Sequence, residues 1–174
     1  MIAQSIEDII SGLTGKKRII LVGEASSGKD YARNILESRG FPYQISYTTR
    51  PMRTGEIHGK DYYFIPEFKF KELINMSFFY EYVVFNTWYY GTSNTQMKSS
   101  NCVFIMTPSG LSSMDPSDRE ESLVVYFNIP EDIRKERLAL RSDADTVDRR
   151  LAADAIDFAG FMNYDMLVTN PKFI

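Results

Sequence analysis

One cysteine, one histidine and one tryptophan occur among 174 residues. With Cys102 alone no internal disulfide can form, which fits a reducing compartment and sets the expectation of a cytoplasmic protein. The lone His58 lies in a turn between Gly55 and Gly59 and reads as a surface residue rather than a catalyst. No apolar run approaches the roughly 20 residues of a membrane-spanning helix. No basic stretch followed by a long apolar core opens the chain, so neither a secretory signal nor a membrane partner is expected. An excess of positive charge is also missing. The net charge of −3 gives no reason to expect a nucleic acid, so any polyanion must be held by a local cluster of cations. The hydrophobic content of 44% is ordinary. This length suits a single domain that buries roughly 70% of its unfolded surface.

The most informative stretch is RIILVGEASSGKDYAR, residues 18–33. Ile19, Ile20, Leu21 and Val22 run without a polar break into Gly23, as in a strand buried on both faces of a parallel sheet. Gly23-x-x-x-x-Gly28-Lys29 is the spacing of a phosphate-binding loop. Glycine lets the backbone bend so that several N–H groups face one anion, and the helix that follows adds its positive end. Lys29 supplies a full, mobile charge. Asp30 stands where Ser or Thr is usual. A carboxylate there either ligates magnesium with altered geometry or marks a loop that has lost catalysis; the retained Lys29 favours the first, and the metal expectation rests on Asp30.

Residues 2–13 place Ile2, Ile6, Ile9, Ile10 and Leu13 at helical spacing and predict an amphipathic helix that packs on the core. A second helix is predicted from Lys29 to Ser38, and a strand over residues 43–48. In TTRPMRTGEIHGKDYYF, residues 48–64, Arg50 and Arg53 bracket the stiff Pro51. Helices are predicted over 66–76, with Phe68, Leu73 and Ile74 inward, after Pro130, and over 146–160. Further strands are read at 102–107, 122–128 and in YDMLVTN. Arg134 and Lys135 read as a solvated basic face.

SYTTRPMRTGEIHGKDYYF, FFYEYVVFNTWYYGTS, PEDIRKERLALR and DRRLAADAIDF together resemble segments of the guanylate kinase family, over about residues 18–170. The resemblance implies an α/β fold of P-loop NTPase type: three layers, a mainly parallel central sheet, a small acceptor-binding lobe over about 45–95 and a lid over about 137–150. It implies magnesium-dependent transfer of a phosphoryl group from ATP to GMP or dGMP, with small-molecule nucleotides as partners. Gly23, Ala25, Ser26, Ser27, Gly28, Lys29, Asp30 and Asn170 would contact ATP. Arg50, Arg53, Tyr62 and Tyr90 would grip the acceptor phosphate. Glu81 would accept from the guanine N1–H and amino group, with Ser46, Thr92 and Thr107 completing the base site. Lys29, Arg137, Arg141 and Arg150 would neutralise charge during transfer, while Tyr89 reads as core.

Two departures bear on this reading. The strand at 102–107 ends in the family in D-x-D, where this chain has Ile105 and Thr107. The loss of a charged acceptor at Thr107 corresponds to about 1 to 3 kcal/mol of base discrimination. The family also continues into a final helix, and the helix at 2–12 is expected to cover that part of the sheet. Acceptors other than guanylate, a ribose bisphosphate, or a protein-binding module without catalysis are the alternative readings.

Overall fold

The computed structural model describes residues 1–140 and 147–173. All six residues of β1 (Arg18–Gly23) are buried. Ile19 and Leu21 join one hydrophobic cluster, Ile20 and Val22 the other, which is why the run shows no polar alternation. The first cluster receives Ile6 and Ile9 of α1 (Ile6–Gly12) and Ala32 and Leu36 of α2 (Lys29–Ser38). Ser5 and Asp8 form a reciprocal capping box that starts α1.

The chain then leaves the core to build a small lobe. β2 (Tyr47–Thr48), β3 (Tyr63–Phe64), α3 (Glu67–Asn75), β4 (Phe79–Phe85) and β5 (Trp88–Ser93) follow, and the strands order as β3-β2-β5-β4. It returns through α4 (Asn94–Met97), β6 (Cys102–Ile105), α5 (Pro108–Ser112), α6 (Pro116–Glu120), β7 (Ser122–Phe127), α7 (Glu131–Ala139), α8 (Val147–Asp157) and β8 (Met166–Val168). The main sheet orders as β6-β1-β7-β8, with each neighbouring pair parallel. Leu111 of α5 and Met97 of α4 lie in the second cluster with Phe104 and Val124, so helices flank both faces. The parallel sheet and layered α/β architecture anticipated from the sequence are present.

Two local expectations change. Residues 43–48 are not one strand. Tyr43 bridges Val103 at the edge of the main sheet, whereas Tyr47 pairs with Gly91 and Tyr63 in the lobe, so the segment passes from one sheet to the other. Phe68 is 74% exposed and Phe70 is the buried residue. The helix begins at Glu67, which turns Phe70, Leu73 and Ile74 inward and Phe68 out. Phe70 stacks on Phe79 at 4.3 Å and packs against Tyr89 at 5.2 Å, the core role expected for Tyr89. A Cβ on Gly91 would lie 2.9 Å from Phe79, so close packing fixes that glycine.

The N-terminal segment also extends the sheet. Ala3 N donates to Leu167 O, and Leu167 N to Met1 O, both at 2.9 Å. Ile9 is fully buried beneath this edge. Ile9→Ala should lower the unfolding free energy by about 2–5 kcal/mol in urea denaturation, and a loss below about 1 kcal/mol would contradict the packing of α1.

Candidate active site

The phosphate loop occupies the turn between β1 and α2. Gly28 adopts φ 101° at the N-cap of α2, a conformation that favours glycine. Gly23 is fixed by contact instead, since a Cβ there would meet Phe127 O at 2.8 Å. Lys29 Nζ donates to Gly23 O at 2.5 Å and to Glu24 O at 2.8 Å, curling over the loop's own carbonyls. Asp30 is exposed in the first turn of α2.

Two clefts meet at this loop. One runs between the loop and the small lobe, and Ala25, Lys29, Ser46, Arg50, Arg53, Tyr62, Glu81, Tyr90, Thr107 and Arg150 all line it. The other is lined by Ser26, Ser27, Gly28, Lys29, Arg137 and Asn170. Asp30 lines both, so its carboxylate stands where the two clefts adjoin. Arg137 Nη1 donates to Ser26 O at 3.0 Å, which ties α7 to the loop. Arg150, in the first half of α8, is buried against the first cleft. Arg141 lies outside the described residues.

The cations of the lobe lie in the loop that follows β2. Arg50 comes two residues after that strand and is 4% exposed. It makes two bonds to Glu56, at 3.0 and 2.7 Å, and sits 5.4 Å above the ring of Tyr62. Glu56 also accepts from Arg53 N, so a single carboxylate orients the pair that brackets Pro51. Tyr62 and Tyr90 lie with ring centroids 6.0 Å apart beside them, and burial raises both phenol pKa values.

Glu81 reaches the same cleft because of an irregularity in β4. The register with β5 shifts between Phe79 and Glu81, which sends Tyr80 away to bond Asp118 at 2.8 Å. Glu81 is 8% exposed, and burial pushes its pKa up to about 7 against the opposing hydrogen bonds of Thr92. Thr92 is itself buried opposite Glu81 in the strand pairing. It therefore supports Glu81 and does not line the cleft, unlike its expected place at the base edge. Thr107 caps α5, its Oγ1 accepting from Gly110 N at 3.1 Å.

Sequence reasoning missed three acids. Asp154 on α8 accepts from Ala25 N at 2.8 Å, and burial raises its pKa despite Lys29 and Arg134. Glu24 and Asp154 flank Arg134, which is 6% exposed and so not the solvated residue expected. Asp157 lines the first cleft and accepts from Ser109 Oγ at 2.7 Å. The available signal was helical spacing: Asp154 follows Arg150 by four residues, on the same helix face. Lys135 does pair on the surface with Glu131, as a solvated basic residue should.

A site of this kind can hold two polyanions side by side, with a buried carboxylate for a base in one cleft. The guanylate kinase family profile matches residues 15–173. The guanylate kinase of Blochmanniella pennsylvanica is 32% identical over 168 residues, covering 88% of this chain and 79% of its own. That of Wolinella succinogenes is 31% identical over 162 residues, covering 87% and 75%. The crystal structure of guanylate kinase from Anaplasma phagocytophilum superposes with a TM-score of 0.67 at 21% identity, over 90% of this chain and 78% of that one, a likeness of fold. Matched by that profile over nearly its whole length, the chain belongs to the guanylate kinase family.

Proposed function

We propose that the protein transfers the γ-phosphoryl group of ATP to GMP or dGMP, giving ADP and GDP or dGDP. The observation that carries this reading is the single cleft in which Arg50, Arg53 and the buried Glu81 accompany the phosphate loop. Planar guanidinium groups can each bond two phosphate oxygens. A carboxylate accepts from the two adjacent donors of guanine and repels the lone pair that adenine presents at the same edge. ATP would occupy the second cleft, with the phosphate loop around its phosphates and Asn170 beside its base. We assign residues 45–95 to the acceptor lobe and 137–150, of which 141–146 lie outside the described residues, to the lid of a single domain.

No covalent intermediate is required. Catalysis consists of alignment and charge neutralisation, in which Lys29, Arg137 and Arg150 hold negative charge spread over the transferred group. Closing the lid excludes water and limits hydrolysis.

Magnesium fits the donor set. Among the described residues no group of three or more His, Cys, Asp or Glu could cage a metal. The exposed Asp30 offers one hard oxygen donor where the clefts adjoin, and magnesium is commonly bound by one carboxylate together with substrate phosphates and water. Bound there, it would neutralise phosphate charge. Asp30→Ala should raise the magnesium concentration for half-maximal rate by roughly 10- to 100-fold. An unchanged magnesium requirement would remove Asp30 from this role. The function itself is tested by an ADP-release assay with ATP and magnesium, in which turnover must depend on added GMP; ADP release at the same rate without it refutes the reading.

A further inference from the structure

Glu24, Arg134 and Asp154 form a buried cluster beneath the phosphate loop that the proposed transfer does not use. Arg134 Nε donates to Ile129 O at 3.0 Å, which fixes the guanidinium. Its Nη2 lies 3.7 Å from Glu24 Oε1 and its Nη1 3.6 Å from Asp154 Oδ2. Two carboxylates therefore share one guanidinium, and Asp154 Oδ2 takes a further bond from Ala25 N.

That last bond carries the argument. A phosphate loop works by offering backbone N–H groups to phosphate oxygens. Here an N–H of the loop, at a residue lining the cleft, is already held by a side-chain anion of the same acceptor chemistry. Ser26 Oγ, at a residue that lines both clefts, is buried beside it without a hydrogen-bond partner. It is a polar atom that an entering polyanion could satisfy. The bond is intramolecular, so a ligand must compete against a preformed contact, and it must also approach a buried negative charge.

We infer that Asp154 is a resident anion of the phosphate loop and sets its donor affinity: the carboxylate holds the Ala25 N–H until a polyphosphate displaces it. The inference rests on reading residues 23–30 as a phosphate loop. Asp154→Asn keeps the shape of the side chain but removes its charge and weakens its acceptor.

The test is calorimetric titration of the full chain with inorganic tripolyphosphate, using the unaltered protein, Asp154→Asn and Asp157→Asn. Asp157→Asn deletes the same charge nearly one turn along α8, where the carboxylate bonds Ser109 and not the loop. Asp154→Asn should bind tripolyphosphate roughly 10-fold tighter, and Asp157→Asn within about 3-fold of the unaltered protein. In the unaltered protein, the Asp154 carboxyl carbon should also change its NMR shift as tripolyphosphate saturates, a readout that survives if a variant fails to fold. Equal or weaker binding by Asp154→Asn, equal tightening by both variants, or a static Asp154 signal overturns the inference and leaves the phosphate loop standing. Absence of binding by all three proteins overturns both.

Discussion

Lys29→Met lowers kcat by roughly 10²–10³-fold, equivalent to about 3–4 kcal/mol of transition-state stabilisation, in the range found for removing one preorganised donor to a developing charge. Lys29 Nζ reaches Gly23 O, Glu24 O and Ser27 Oγ, so it is aimed across the loop before any nucleotide arrives. Methionine keeps the length of the chain and removes the charge. The loss must appear in kcat as well as in the KM for ATP, because charge on the transferred group grows during reaction. Steady-state rates over both substrates check this, with circular dichroism melts confirming that the variant folds. A change confined to KM would make Lys29 a binding residue only.

Glu81→Gln is the second large effect, and it has two opposite signs. In the free protein the carboxyl pKa is raised from 4.5 to about 7 because burial disfavours the charged form. The neutral form is thus the one that stabilises the fold. That contribution is fully present below about pH 4.5 and is lost as pH rises through about 7. The full span corresponds to about 3 kcal/mol. Glutamine is always neutral, so the variant should resist denaturation better at pH 8 by up to about that amount. Function moves the other way. An amide can accept from only one of guanine's two adjacent donors and turns its own N–H toward the other. Discrimination between GMP and AMP should fall by about 1.5–3 kcal/mol, roughly 10- to 150-fold in relative kcat/KM. In the unaltered protein kcat/KM for GMP should rise with pH through about 7 as Glu81 ionises, and the Gln variant should lose that step. Urea denaturation at pH 5 and pH 8, with pH–rate profiles of both proteins, separates the two signs. A variant less stable at pH 8 would contradict the cost assigned to the buried charge.

Much of the site could be read from residue type and spacing, because its chemistry is local. The run Ile19–Val22 into Gly23 declares a doubly buried strand. Gly28-Lys29 declares what its loop can bind, since both requirements lie within eight consecutive residues. Arg50 and Arg53 were similarly visible around one proline. The misreadings share a different cause: they depend on partners distant in sequence. Arg134 looks like a solvated helix cation until α8 brings Asp154 against it, 20 positions away. Thr92 sits under Glu81 because of the β4–β5 register, and that register changes at a bulge no residue pattern announces. Phe68 and Phe70 exchanged places because two aromatics spaced by two differ by about 200° around a helix, so the starting residue decides which is inside. Residues 43–48 contain two strand-like halves that serve two sheets, a division set by the geometry of the return from α2.

The loss of an acidic residue at Thr107 makes base selection the decisive question. Its hydroxyl is already engaged in capping α5, so the proposed base selection falls to the Glu81 carboxylate. The measurement that tests this most directly is kcat/KM with ATP and magnesium for GMP, dGMP, AMP, CMP, UMP and dTMP offered separately. The account predicts turnover concentrated in GMP and dGMP, with the other four at least roughly 10-fold poorer, as a charged hydrogen-bond acceptor requires. Equal or faster turnover of any of those four would contradict it.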